Sequence, residues 1–361
     1  MRREKSMSEQ VSLREKFYGC IAGVHIGSAM GAPVEGWDFE RTEATYGILD
    51  KLVSYEHFNN GWVREAGTTE DGVERQKLMI SAIIEKQDRV TAEDVRRQWL
   101  LKIKPESAGM ISEPFEAVLL AMAKSGIPAR DIGKYCDYAG LNSMSRSCHP
   151  IGLINAGDIE NAINDVNEVG QLYQTSNGRG LKWAAVTASA IAAATKPNAT
   201  VDSVIGAIYN YCDPDVVVKE IDRELGRTQH ISDIRELRKA LHESYSIRGI
   251  PYEVSYANEV VTKALCIFKM VNANVKEALI TAINMGRDTD CITAVAAGIS
   301  GALSGTSSIP EEWIKQVDYA TSLHVVSNSH RTMKEHAEGL YQAYHSRLIR
   351  LKAYSEQMAA I

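Results

Sequence analysis

Apolar positions recur at helical spacing along most of the chain, and strict apolar–polar alternation is scarce, so the pattern predicts helices throughout. After a polar lead-in over residues 1–10, residues 13–30 are apolar and rich in small side chains. Gly19, Gly23, Gly27 and Gly31 stand four apart there, on one face of a predicted helix. Each glycine costs helix propensity of about 1 kcal/mol relative to alanine, so four of them imply close packing against another helix. Residues 37–67 lack a period and read as an irregular loop with short helical pieces. Thr68 and Asp71 have capping-box spacing ahead of a helix carrying Leu78, Met79, Ala82 and Ile83. Further helices are predicted over 91–101, 114–124, 129–138, part of 151–169, 181–195, 201–210, 253–271, 276–283, 292–305, 311–321 and 330–356. The charged run 216–244 reads as one or two amphipathic helices with their charges mostly in water.

The fold class that follows is all-α, with more than ten helices and several long loops. A chain of 361 residues, 45% of them hydrophobic, can bury a large core; length alone would permit one large domain or two of ordinary size, and the all-helical reading is taken as one domain over 11–361, with the 330–356 helix at its periphery. A net charge of -6 gives no electrostatic footprint for nucleic acid. The polar start, followed by no long apolar run, indicates neither a signal peptide nor a membrane span, so no membrane partner and a cytoplasmic location are expected. The six cysteines (Cys20, Cys136, Cys148, Cys212, Cys266 and Cys291) are scattered without metal-finger spacing and read as reduced, buried thiols. Cys148 beside His149 is weighed as a nucleophile–base pair and discounted, because adjacency in sequence does not bring two side chains together.

Chemistry concentrates in two acidic stretches. Asp288-Thr289-Asp290 opens a small-residue helix, and Thr69-Glu70-Asp71 opens another. On its own the first pair reads equally well as a helix cap or as ligands. Two such stretches, both with hydroxyls and neither with histidine, suit a hard oxygen-seeking ion such as Mg²⁺ or Mn²⁺ better than zinc. Two ions could share them; a metal-free acid–base pair of carboxylates is the other option. The loop Ser176-Asn177-Gly178-Arg179-Gly180, feeding a helix start, is a weak candidate for a phosphate cradle.

Three separated motifs give the chain a family resemblance. Gly23-x-x-x-Gly27-x-x-x-Gly31-Ala32-Pro33-Val34-Glu35, Gly67-Thr68-Thr69-Glu70-Asp71 and Asn284-Met285-Gly286-Arg287-Asp288-Thr289-Asp290 together resemble the ADP-ribosylglycohydrolases over roughly residues 14–320. The resemblance implies an all-α fold with orthogonal helix packing, two Mg²⁺ ions and hydrolysis at C1 of a ribose. By position, Thr69, Glu70, Asp71, Asp288 and Asp290 match metal ligands, and Glu35 matches an acid beside the site. Ser176 to Gly180 fall where the family holds ribose and phosphates. Glu70 stands where the family has Asp, Cys291 where it has Thr or Ser, Arg287 where it has Gly, and Ser176 where it has His. The spacing from Arg146 to Pro150 is also one residue off.

The function expected is a metal-dependent hydrolase of a ribosyl glycosidic bond, with an ADP-ribosyl conjugate as substrate and Glu70, Asp71 or Glu35 taking the water's proton. A smaller ribosyl nucleoside or nucleotide, read by Arg179 and Arg287, is the second option. A non-catalytic ADP-ribose-binding protein is the third.

Overall fold

The first helix is capped by Ser12, whose hydroxyl accepts from Glu15 N, and it runs without a break through all four glycines. In the computed structural model, which describes residues 10–56, 61–104, 114–135, 140–249 and 253–360, seventeen α-helices follow one another. They are α1 (Leu13–Gly31), α2 (Phe39–Tyr46), α3 (Asp71–Lys86), α4 (Ala92–Lys102), α5 (Pro114–Lys124), α6 (Ala129–Ile132), α7 (His149–Ile154), α8 (Ile159–Gly170) and α9 (Arg179–Ala194). The second half adds α10 (Val201–Tyr211), α11 (Lys219–Thr228), α12 (Ile234–Ser244), α13 (Ala257–Met270), α14 (Val275–Ile283), α15 (Thr289–Ser304), α16 (Glu311–Leu323) and α17 (Met333–Ala359). The all-α expectation holds. Among the described residues the sheet is confined to a hairpin, with β1 (Tyr55–Glu56) antiparallel to β2 (Val63–Arg64) and Tyr55 opposite Arg64.

The glycine face of α1 lies against α15. A Cβ built on Gly19, Gly23, Gly27 or Gly31 would meet Gly301 O at 2.5 Å, Ala297 O at 2.3 Å, Thr293 O at 2.8 Å or Asp290 N at 2.4 Å. The partners descend as the glycines ascend, so the helices run antiparallel with their backbones in contact. The dispersion gained along that seam offsets the helix propensity the glycines give up. This packing brings the C-terminal end of α1, and Glu35 just beyond it, to the start of α15. Both helices are buried over most of their length, and α9, α13 and α14 complete the core around them.

Other elements follow their local signals. Thr91 and Asp94 form the capping box of α4, and Thr332 and Glu335 that of α17. Residues 151–169 fall in two helices, α7 and α8, broken near Asn155. The predicted 129–138 helix ends in a tight turn at Gly133–Tyr135, and its last residues lie outside the described ones, as does Cys136. The capping box expected at Thr68 and Asp71 does not form. Glu70 is the N-cap of α3 without a side-chain cap bond, and the Thr68 hydroxyl donates instead to Glu65 O at 2.8 Å. In the charged run 216–244 most charges are exposed, but Glu224 and Arg238 are buried. Glu224 is paired with Arg223 and Arg227, both at 2.8 Å, and Arg238 with Glu43. The first half of α17 buries His336 and Leu340, while residues 348–360 are exposed.

Candidate metal centre

Three helix ends converge on one point. Ser28 on α1 accepts the Glu70 backbone N–H at 3.0 Å, which fixes the start of α3 against α1. Thr289 at the start of α15 donates its hydroxyl to Gly31 O at 2.8 Å, which fixes that end too. The two acidic stretches and Glu35 therefore share one neighbourhood. The carboxyl of Glu35 is held well above its usual range by burial first, then by Asp290, Asp288, Glu70 and Asp71.

The turn before α15 is built from two successive left-handed residues, Gly286 at φ 70° and Arg287 at φ 71°. A side chain on Gly286 would strike Phe39 N at 2.6 Å as well as strain the backbone. Arg287 N donates to Trp37 O at 2.6 Å, and Arg287 O accepts from Gly36 N at 2.8 Å and Thr289 N at 2.9 Å. The guanidinium of Arg287 turns inward and forks onto Glu259, with Nε to Oε1 at 2.6 Å and Nη2 to Oε2 at 2.8 Å. Lys263 completes this buried group at 2.8 Å from Glu259 Oε1.

Asp288 is the N-cap residue of α15, yet its side chain makes no capping bond. Its Oδ2 accepts from Asn142 Nδ2 at 2.7 Å, and its Oδ1 is buried without a hydrogen-bond partner. Asp290 Oδ1 is likewise buried and unpartnered. Burial raises the proton affinity of both carboxyls; Asp288 adds to the rise at Asp290, while its own hydrogen bond with Asp290 and the charge of Arg146 partly offset the rise at Asp288. Ligand atoms of Asp288, Asp290 and Cys291 lie within 4.8 Å of one another, a group that could hold a metal ion. Orphaned buried carboxylate oxygens are costly, and a cation removes that cost, so these residues fit one. The Cys291 thiol is pushed up by burial and by both aspartates, which keeps it a neutral neighbour.

The second acidic stretch is arranged differently. Glu70 accepts from the Tyr55 hydroxyl and from Arg64 Nη1, both delivered by the β1–β2 hairpin. Burial and the Glu70 charge raise the Tyr55 phenol well above its ordinary value, so it stays a donor. Asp71 pairs with Arg146 Nη2 and lies 3.2 Å from Arg75 Nη2 one turn along α3. Arg146 Nη1 also reaches Cys291 Sγ at 3.4 Å, which links the two stretches. Thr69 is buried beside them.

The loop from Ser176 to Gly180 leads into α9. Ser176, Asn177 and Arg179 are exposed, and Arg179 is 3.9 Å from Glu220. Among the described residues a chain of contacts runs from the loop toward Asp288. Gly180 packs on Gln174, whose Nε2 donates to Leu141 O at 2.9 Å, next to the Asn142 that holds Asp288. Cys148 and His149 do not form a catalytic pair. The thiol faces Ala184 O at 3.5 Å and is raised by burial, while the imidazole meets Gln76 Nε2 at 3.3 Å and is pushed down to about 3.

The residues missed from sequence are Tyr55, Arg64, Arg75, Asn142, Arg146 and Glu259. Arg75 carried a local signal, since it stands four residues after Asp71 on a helix, and Arg146 was marked by the family spacing without a role. Arg64 stands six residues before Glu70 with no helical period to pair them, and Tyr55, Asn142 and Glu259 come from more distant segments.

The family model for ADP-ribosylglycohydrolase matches residues 9–347. An uncharacterized protein of Archaeoglobus fulgidus is 24% identical over 313 residues, covering 84% of this chain and 92% of its own length. The uncharacterized protein YegU of Escherichia coli K12 is 22% identical over 318 residues, covering 86% and 93% respectively. Among solved structures, an ADP-ribosylglycohydrolase-related protein complex superposes with a TM-score of 0.65 at 16% identity, covering 92% of this chain and 99% of that one. At that identity the likeness speaks for the fold. No helix among the described residues is long and apolar enough to cross a membrane.

Proposed function

This chain belongs to the ADP-ribosylglycohydrolase family, and from that premise we propose that it is a metal-dependent hydrolase of a ribosyl glycosidic bond, with ADP-ribosyl conjugates as its substrate class. The observation that carries the metal requirement is the pair of buried, partnerless oxygens, Asp288 Oδ1 and Asp290 Oδ1. Asp288 and Asp290 would hold a divalent cation, Mg²⁺ or Mn²⁺, with Thr69, Glu70 and Asp71 close by. When bound, such a cation orients ribose hydroxyls and makes a water more acidic.

The chain's own residues divide the remaining work. Glu70 is paired with Arg64, and Asp71 with Arg146 and Arg75, which fix both carboxyl groups in place. Glu35 has the raised proton affinity suited to take a proton from the attacking water and pass it to the leaving group. The water oxygen bonds to C1 as the bond from C1 to the leaving group breaks. Buried acids around C1 stabilise the positive charge that develops on the ribose. Arg179, with Ser176, Asn177, Gly178 and Gly180, would take a phosphate of the substrate, a reading supported by the exposure of Ser176, Asn177 and Arg179 at the start of α9. Arg287 contributes through the turn that aims Asp288.

The test is turnover of N- and O-linked ADP-ribosyl conjugates by the purified protein with Mg²⁺, with Mn²⁺ and with chelator. Asp290→Ala and Asp288→Ala should each cut kcat by ~10²-fold or more, and Glu35→Gln by a similar factor, with the helical circular dichroism retained. Full activity in either aspartate variant, or in chelator, would remove the metal from the reaction.

A further inference from the structure

The charges around the aspartate pair are unequal on its two sides, and from that imbalance we propose that Arg146 is a built-in cation, so that the site takes one divalent ion at Asp288 and Asp290 rather than two. The inference rests on the metal-dependent reading of the same site. On the α3 side every carboxylate already has an internal partner. Asp71 is paired with Arg146 and Arg75, and Glu70 with Arg64 and the Tyr55 hydroxyl. A guanidinium does not lose its proton, so this compensation is permanent. On the α15 side Asp288 Oδ1 and Asp290 Oδ1 remain without partners.

The position of Arg146 is constructed rather than incidental. It lies one helical turn beyond Asn142, with Arg146 N donating to Asn142 O at 3.1 Å. The same turn therefore sends Asn142 to Asp288 and Arg146 to Asp71 and Cys291. Gly72 makes room for the arginine, since a Cβ there would come within 3.1 Å of Arg146 Cδ. Arg146 is buried, so its charge is little screened. Arg146 fills the crevice that it lines together with Asp290 and Cys291, and its guanidinium occupies the place beside Asp71 where a second ion would sit.

The test is Mn²⁺ loading of the full-length protein, read by metal analysis after gel filtration and by electron paramagnetic resonance. The wild type should hold about one Mn²⁺ per chain with the spectrum of an isolated ion, and Arg146→Met about two with a spin-coupled spectrum. Arg146→Lys keeps the charge and should stay at one. Two ions in the wild type, or one in both wild type and Arg146→Met, would overturn the proposal. If Arg146→Met fails to fold, the wild-type and Arg146→Lys counts still decide. One bound ion without riboside turnover sinks the proposed function and leaves this inference standing. Turnover with two bound ions does the reverse, and no bound ion sinks both.

Discussion

Arg287 holds a left-handed backbone, φ 71°, that costs a residue with a side chain on the order of 1 kcal/mol. The cost is met by its fork onto Glu259 and by three backbone bonds that tie the turn to residues 36, 37 and 289. Glu259→Gln would strand a buried guanidinium, so the substitution should destabilise the protein by about 3–5 kcal/mol. Adding Arg287→Gly removes the backbone strain and one of the two cations that lose their carboxylate, the other being Lys263, and should recover part of the loss. A urea-denaturation double-mutant cycle measures this, and simple additivity of the two changes would show that the fork is not an energetic pair. At this scale the aspartates were legible in the sequence because each opens a helix and stands next to a hydroxyl. Arg146, Arg64 and Tyr55 were not, since their roles depend on which loop and hairpin the fold lays across the acids.

The α1–α15 seam decides where the carboxylates stand. In α1, Gly23→Ala would drive a Cβ to 2.3 Å from the Ala297 carbonyl oxygen, an atom of helix backbone that cannot step aside. The helices must part, which should cost about 1–3 kcal/mol. It should also lower kcat, because Asp290 and Glu35 sit on opposite sides of that seam. In α10, Gly206→Ala meets nothing within 4 Å and should stabilise by up to ~1 kcal/mol through helix propensity alone. Thermal unfolding of the two variants checks the contrast. Equal shifts would mean the glycine stripe is not what holds the helices close. The stripe was readable because its four-residue period is a local property, whereas its partner helix was not. The helices capped at Thr91 and at Thr332 were legible for the same local reason. Thr68 misled because Glu70 is drawn to Ser28 through its backbone and to Arg64 through its side chain, which moves the start of α3 two residues on.

Two sets of buried groups pull the stability of the whole molecule in opposite directions as pH falls. His25 on α1 and His149 on α7 are both pushed down to about 3 by burial, with Lys77 and His149 adding to the effect at His25. Unfolded histidines take up protons near 6.5 while these do not, so their contribution is complete above that pH and is lost below it. From pH 7 to about 5.5 the loss is roughly 1 kcal/mol for each. Asp288, Asp290 and Glu35 are raised, so in the metal-free protein ionising them costs stability, and acidification relieves the cost. The two effects partly cancel in chelator. A bound divalent ion abolishes the acid penalty but leaves the histidine term, and acidification also loosens the ion. The unfolding midpoint should therefore fall more steeply from pH 7 to 5.5 with Mn²⁺ than with chelator. Parallel slopes in the two conditions would mean that the buried aspartates are not what the ion relieves. A steeper slope in chelator would place the dominant titration elsewhere in the molecule.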